Sequence, residues 1–189
     1  MKTLFLFIPH YVFSSDLLRT EYIKYLSEKY RVVVIGPVFK TVSENNYYHS
    51  PNIIYKSWDT KHRNFWLRFN KMLRISLVTE FNHLDYHKLR AYTGINLTWK
   101  RRVLMALAKL FPKKLLSADN FTKLESLLLP DDAELKKLIA EYQPNLVVTS
   151  TPGFSEIEAE IIILAKKNNI KTIAVNFSWD NLFNNSKHI

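Results

Sequence analysis

The sequence predicts an α/β protein, a Rossmann-like doubly wound parallel sheet carrying a basic helical insertion. Three observations predict it. The strand-like runs near both ends are apolar without alternation, as strands covered on both faces are. Stretches of helical spacing separate them, which makes βαβ units. Between the two ends, from about 60 to 142, the spacing is helical throughout.

Residues 3–8 form the first unbroken apolar run, a buried strand. Ser14 or Ser15 can cap the helix that follows, and Asp16 suits its positive end. Leu17, Leu18, Tyr22, Tyr25 and Leu26 recur at helical spacing. Arg31-Val-Val-Val-Ile35 is the second buried strand, stopped by the turn signal Gly36-Pro37. Residues 51–55 form a short strand at or near a sheet edge.

The pattern returns late in the chain. Leu135–Tyr142 is helical and Pro144 ends it. Asn145-Leu-Val-Val-Thr149 is a strand, Thr151-Pro152-Gly153 turns the chain, and Ser155 can cap a helix whose middle, Ile161 to Ala165, is buried. Glu156, Glu158 and Glu160 fall in its first turns, where they complement the macrodipole and, two apart, spread around the helix. Lys171-Thr-Ile-Ala-Val175 is the last strand.

The middle places Phe65, Trp66, Phe69, Met72, Leu73, Leu77 and Phe81 on one apolar stripe, and Val103, Leu104, Leu107, Ala108, Leu110 and Phe111 on another. Lys71 and Arg74 lie beside the first. Lys100, Arg101, Arg102, Lys113 and Lys114 flank the second. The expected organisation is one domain over residues 1–189 with the helical insertion at about 60–142.

Composition narrows the function. The chain of 189 residues has no cysteine, which removes disulfides, thiolate nucleophiles and cysteine metal sites. Its glycines number only three, Gly36, Gly94 and Gly153, too far apart for a Gly-rich phosphate cradle. Net charge is +10, and residues 56–114, with 14 basic and 3 acidic side chains, exceed that alone at +11. The same segment holds nine aromatics, including Trp58, Trp66 and Trp99. Basic plus aromatic on helices points to an anionic partner: phospholipid headgroups, a nucleic acid or an anionic substrate. No stretch reaches the roughly 18 apolar residues that span a bilayer, and the opening apolar run breaks at Pro9-His10 with no cleavage site after it.

Ligands of open parallel sheets bind beyond the carboxyl ends of the strands. That rule selects Pro9-His10-Tyr11, Gly36-Pro37, Ser150 to Phe154, and Asn176 to Asn181. His10 follows the first strand and titrates near neutrality, which makes it the candidate general base; a structural or solvent-facing histidine is the alternative. Thr151, Gly153 and Phe154 open a helix whose free N–H groups suit an oxyanion. Trp179 offers an apolar face to a sugar, Asp180 an acceptor, and Asn181 a mixed amide. His83 and His87 stand four apart, but Leu-Asp-Tyr between them lacks the glutamate of the H-E-x-x-H metal motif, and no Asp-x-Asp pair is present, so no metal site is expected.

Thr151-Pro-Gly-Phe154, a helix, and then Ile173-Ala-Val-Asn-Phe-Ser-Trp-Asp-Asn-Leu182 resemble the amino-terminal half of certain bacterial GT-B glycosyltransferases of surface-polysaccharide synthesis, similar in look to CDP-glycerol glycerophosphotransferases. In that group a Ser-Trp-Asp-Asn-Leu-Thr-Ser-Lys-Gly-like stretch closes the first domain. Leu17-Leu18-Arg19-Thr20 is similar to its first-helix signature. The likeness covers both ends of the chain and not the helical middle, and after Leu182 the chain reads Phe-Asn-Asn-Ser-Lys-His-Ile, keeping the pattern only in part.

The resemblance implies a metal-independent transferase for polysaccharide or glycolipid synthesis, with His10 and Asp180 as catalytic residues. Tyr11, Arg19, Thr151, Gly153, Phe154, Ser178, Trp179 and Asn181 would bind substrate. It implies a second α/β domain for the donor, a nucleotide-activated sugar or CDP-glycerol, supplied by a missing carboxyl-terminal domain or a separate subunit. This chain alone would bind acceptor without transferring sugar and would hold no cofactor. Lys71, Arg74, Lys100, Arg101, Arg102, Lys113 and Lys114 would face an anionic membrane surface or a lipid-linked acceptor, in a cytoplasmic protein peripheral to the inner face of the membrane. Two rivals remain open. A nucleic-acid binder would use the same charge but lacks a helix-turn-helix, RNA-binding strand motif or zinc ligands. A small doubly wound interaction domain of response-regulator type would need an acidic cluster where Pro9-His10 stands.

Overall fold

The computed structural model describes residues 1–9, 17–18, 21–40, 47–58, 118–128, 131–150 and 156–175, together with Phe69, Trp99, Val103, Ala106, Leu107 and Leu110 as helical positions. Chain contacts divide the protein into two compact units. The first is Met1–Lys61 with Asp131–Val175, and the second is His62–Pro130 with Asn176–Ile189.

The first unit is a five-stranded, all-parallel sheet with helices, a Rossmann-like α/β fold. Its strands are β1 (Lys2–Phe7), β2 (Tyr30–Gly36), β3 (Ile53–Ser57), β4 (Leu146–Thr149) and β5 (Lys171–Ala174), in the order β3-β2-β1-β4-β5. Leu4 pairs with Val32 on one side and Leu146 on the other, so β1 is the central strand. That position explains its unbroken apolar run, because both of its faces are covered.

Alternate residues of the strands build two cores. Leu4, Leu6, Ile8, Val32, Val34 and Val148 pack with Ile23 and Leu26 of α1 (Glu21–Lys29). Phe5, Phe7, Val33, Ile35 and Val147 pack on the opposite face. Their partners there are Leu135 and Tyr142 of α3 (Ala133–Tyr142), and Ile161, Leu164 and Ala165 of α4 (Glu156–Lys167). Helices therefore cover both faces, the doubly wound arrangement. On edge strand β3, Tyr55 stacks with Tyr47 at 5.8 Å and meets Phe39 at 5.3 Å, an aromatic cover for the open side of the sheet.

Helix α3 belongs to the sheet unit, although its spacing joins it to the helical middle. Asp132 caps it, accepting from the Leu135 amide at 2.8 Å. Gln143, in the left-handed region at φ 44°, closes its other end by donating to the Ile139 carbonyl. Asn145 then anchors the start of β4 to β1: its amide donates to the Thr3 carbonyl, and its side-chain oxygen accepts from the Thr3 amide at 3.1 Å. Asp131 accepts from Lys136 and from Lys167 of α4, and these two cations hold its carboxyl below the usual carboxylate range.

Trp58 departs from the sequence expectation. It falls within the basic-aromatic segment, yet it is 1% exposed and packs on Phe7 with ring centres 5.5 Å apart. One residue past β3, it is pulled inward because its indole N–H donates to Asp132 at 3.1 Å.

In the second unit, α2 (Ala118–Leu128) is the described helix with defined bounds. Val103, Leu107 and Leu110, which periodicity places on an apolar stripe, are exposed. Helical spacing lines up a face but does not supply the element that covers it. Among the described residues, no helix is long and apolar enough to cross a membrane.

Candidate functional site

Strands β1, β2 and β3 run outward in one direction, and β4 and β5 in the other, so the order reverses between β1 and β4. In such sheets the crevice outside the carboxyl ends of the two strands flanking the reversal is where ligands bind. Phe7 pairs with Thr149, so Ile8 and Ser150 are the first residues beyond the paired ends.

Backbone contacts set the β1 side. The Ile8 amide donates to the Ile35 carbonyl at 2.8 Å, and the Trp58 amide donates to the Gly36 carbonyl at 3.3 Å. Gly36 is required here by close approach: a Cβ on it would lie 2.1 Å from the Ile8 carbonyl oxygen. Beyond it, Pro37–Lys40 forms a 3-10 turn.

A buried polar pair sets the β4 side. Ser150 donates to a carboxylate oxygen of Glu158 at 3.0 Å, and both residues are wholly buried. Glu158 stands in the first turn of α4. The pair ties the end of β4 to the first turn of α4. On the far side, the Val175 amide donates to the Thr149 carbonyl at 2.9 Å as the chain leaves β5.

Glu160 lies two residues further along α4. One of its carboxylate oxygens is buried and has no hydrogen-bond partner among the described residues. Burial, assisted by the nearby charge of Asp132, pushes the Glu160 carboxyl up to about 7. A group that titrates near neutrality can carry a proton in either direction. Neither glutamate's role follows from spacing alone, which treats them as dipole complements spread around a helix. The signal that could have found Glu158 is the polar Ser150 at the end of an apolar strand, which needs a buried partner.

The candidate residues His10, Tyr11, Arg19, Thr151, Gly153, Phe154, Ser178, Trp179, Asp180 and Asn181 lie outside the described residues, as do His83 and His87. So do Lys71, Arg74, Lys100, Arg101, Arg102, Lys113 and Lys114. Of the four turns that the sheet rule selects, Gly36-Pro37 is described whole, and the described residues include Pro9 and Ser150 of two others. Comparison with family models, curated proteins and solved structures gives no significant match.

Proposed function

We propose that this chain is the acceptor-binding half of a GT-B glycosyltransferase of surface-polysaccharide or glycolipid synthesis. The observation that carries this reading joins topology to sequence. The three segments that resemble that group follow β1 (Leu17–Thr20), β4 (Thr151–Phe154) and β5 (Asn176–Leu182). Two of those strands flank the reversal of the sheet, and the third is next in order. In this reading His10 is the base that takes the acceptor proton, Asp180 assists it, and Trp179 and Asn181 hold the sugar. The donor, a nucleotide-activated sugar or CDP-glycerol, is bound by a second α/β domain in the same protein or a partner subunit.

The test is titration of the 189-residue chain with a diphosphate-lipid-linked sugar in detergent micelles, read by tryptophan fluorescence. The parent chain is expected to bind. Asn181→Ala should weaken binding about tenfold at an unchanged melting temperature. His10→Ala and Asp180→Ala should leave acceptor affinity near the parent value and act only on turnover once a donor domain is supplied. Equal affinity of the parent and Asn181→Ala chains, or turnover of a sugar nucleotide by the isolated chain, sinks the reading.

A further inference from the structure

The two edges of the sheet are not alike. On β3 the aromatic cover is tied down, because the Tyr55 hydroxyl donates to the Tyr48 carbonyl at 2.7 Å. Strand β5 has no such guard. Among the described residues no strand pairs with its outer edge, and Lys171, Ile173 and Ala174 are exposed, Ile173 by 52%. It contains no proline, and Thr172 and Ile173 are β-branched residues that suit a strand. An open edge of this kind is a template for another strand.

The backbone fixes which groups face outward. The Val175 amide donates inward, to the Thr149 carbonyl. In a parallel ladder alternate residues bond to the same neighbour. Lys171, Ile173 and Val175 therefore face β4, and Thr172 and Ala174 direct their N–H and C=O groups outward. Register fixes the side-chain faces. Ile173 pairs with Val148 of the α1-side core, so Ile173 stands on that side of the sheet.

We propose that β5 pairs with β5 of a second copy of this chain, antiparallel about a two-fold axis at Ile173, and so joins two five-stranded sheets into one. With Ile173 opposite Ile173 of the second copy, Thr172 falls opposite Ala174. These are the residues whose groups face outward, and each such pair exchanges two hydrogen bonds. The two Ile173 side chains meet between them as a non-hydrogen-bonded pair, where approach is closest. Lys171 falls opposite Val175, which separates the two Lys171 positions by roughly 13 Å along the strands, more than a Debye length at physiological salt. A two-fold contact presents the same patch from both sides. An unrelated peptide could use the same backbone groups, but only a second copy matches Ile173 with Ile173 in the register that those groups require. Net charge does not oppose the contact: the first unit carries 13 basic and 12 acidic side chains, only +1 of the chain's +10. The edge is four residues long, short for a standard interface, so the dimer is weak, with a Kd on the order of 100 µM. The inference does not depend on the acceptor reading.

Sedimentation equilibrium of the 189-residue chain from about 10 to 500 µM tests it, with introduced cysteines as register probes in a chain that has none of its own. The parent should be mostly monomer at the low end and mostly dimer at the high end. Under mild oxidation Ile173→Cys should form a disulfide-linked dimer, because the Cα atoms of a non-hydrogen-bonded pair lie about 4.5 Å apart, within disulfide reach. Lys171→Cys, exposed on the same side of the sheet, should stay unlinked. Thr172→Pro removes an outward N–H and no bond to β4, so it should weaken dimerisation tenfold or more with the circular dichroism spectrum kept. The proposal is overturned if the parent is monomeric throughout, or if Lys171→Cys links as readily as Ile173→Cys. It is equally overturned if a folded Thr172→Pro dimerises like the parent. Should that variant unfold, the two cysteine variants decide. No acceptor is present in any of these experiments, so the acceptor proposal stands or falls separately.

Discussion

Ser150 and Glu158, eight residues apart, are joined by a hydrogen bond of 3.0 Å in a site closed to solvent at the end of β4. A buried carboxyl group needs its hydrogen-bond donors, so Ser150 clamps the start of α4 to the end of β4. Ser150→Ala should cost about 1–2 kcal/mol in urea unfolding, the cost of leaving a buried carboxyl oxygen without its donor. An unchanged midpoint for Ser150→Ala would show that the bond is not a clamp.

Gly36→Ala should be the most damaging small substitution in the sheet. The added methyl would sit 2.1 Å from the Ile8 carbonyl oxygen, a backbone atom just past the central strand that cannot rotate away. A cost above about 3 kcal/mol is expected, against less than ~1 kcal/mol for Gly→Ala at an open site. The thermal melt of the purified variant decides it.

Stability should fall as pH rises through the range set by Glu160. Its folded-state pKa, about 7, lies above its ordinary value of 4.5. The folded state therefore holds the proton more tightly, and protonation favours folding. The stabilisation is full below the ordinary value and is lost as pH rises towards 7 and beyond. Glu160→Gln should match the parent near pH 4 and exceed it near pH 8 by of order 1 kcal/mol, a figure reduced because the residue is only half-buried. Asp132→Asn removes the neighbouring charge and should lower the top of this range. Urea midpoints measured across pH test both, and a parent with a flat profile would refute the assignment.

Trp58 and Asp132 should prove coupled. The indole donates to the same carboxylate oxygen that caps α3. Trp58→Phe should cost about 1–2 kcal/mol and Asp132→Ala about 2 kcal/mol. The double variant should cost less than the sum, because one interaction is removed twice. Strict additivity in thermal melts would mean that the bond contributes nothing.

Strands and helices of the first unit were legible from local pattern. The apolar runs at 3–8, 31–35 and 145–149, the edge strand after residue 51 and the buried middle of α4 all stand where the spacing puts them. Trp58 was not legible. It belongs by sequence to the basic segment, and its partner Asp132 is 74 residues away. Leu107 and Leu110 were legible as a stripe, but not whether it packs inward or faces outward, because a stripe records periodicity and says nothing of what lies opposite. Glu158 and Glu160 look alike in sequence, and only packing separates a carboxyl bonded to Ser150 from one with a buried oxygen that has no partner among the described residues.

By itself the sequence determined the α/β class, the parallel character of the sheet and the concentration of positive charge in the middle of the chain. These follow from composition and from spacing over a few residues. The tertiary structure decided the order β3-β2-β1-β4-β5, and with it the reversal that defines the candidate site. It also decided which polar groups are buried. Strand order depends on the direction in which each crossover returns to the sheet, and burial depends on partners tens of residues distant. Both are set by long-range packing of the two sheet faces, which no local pattern encodes.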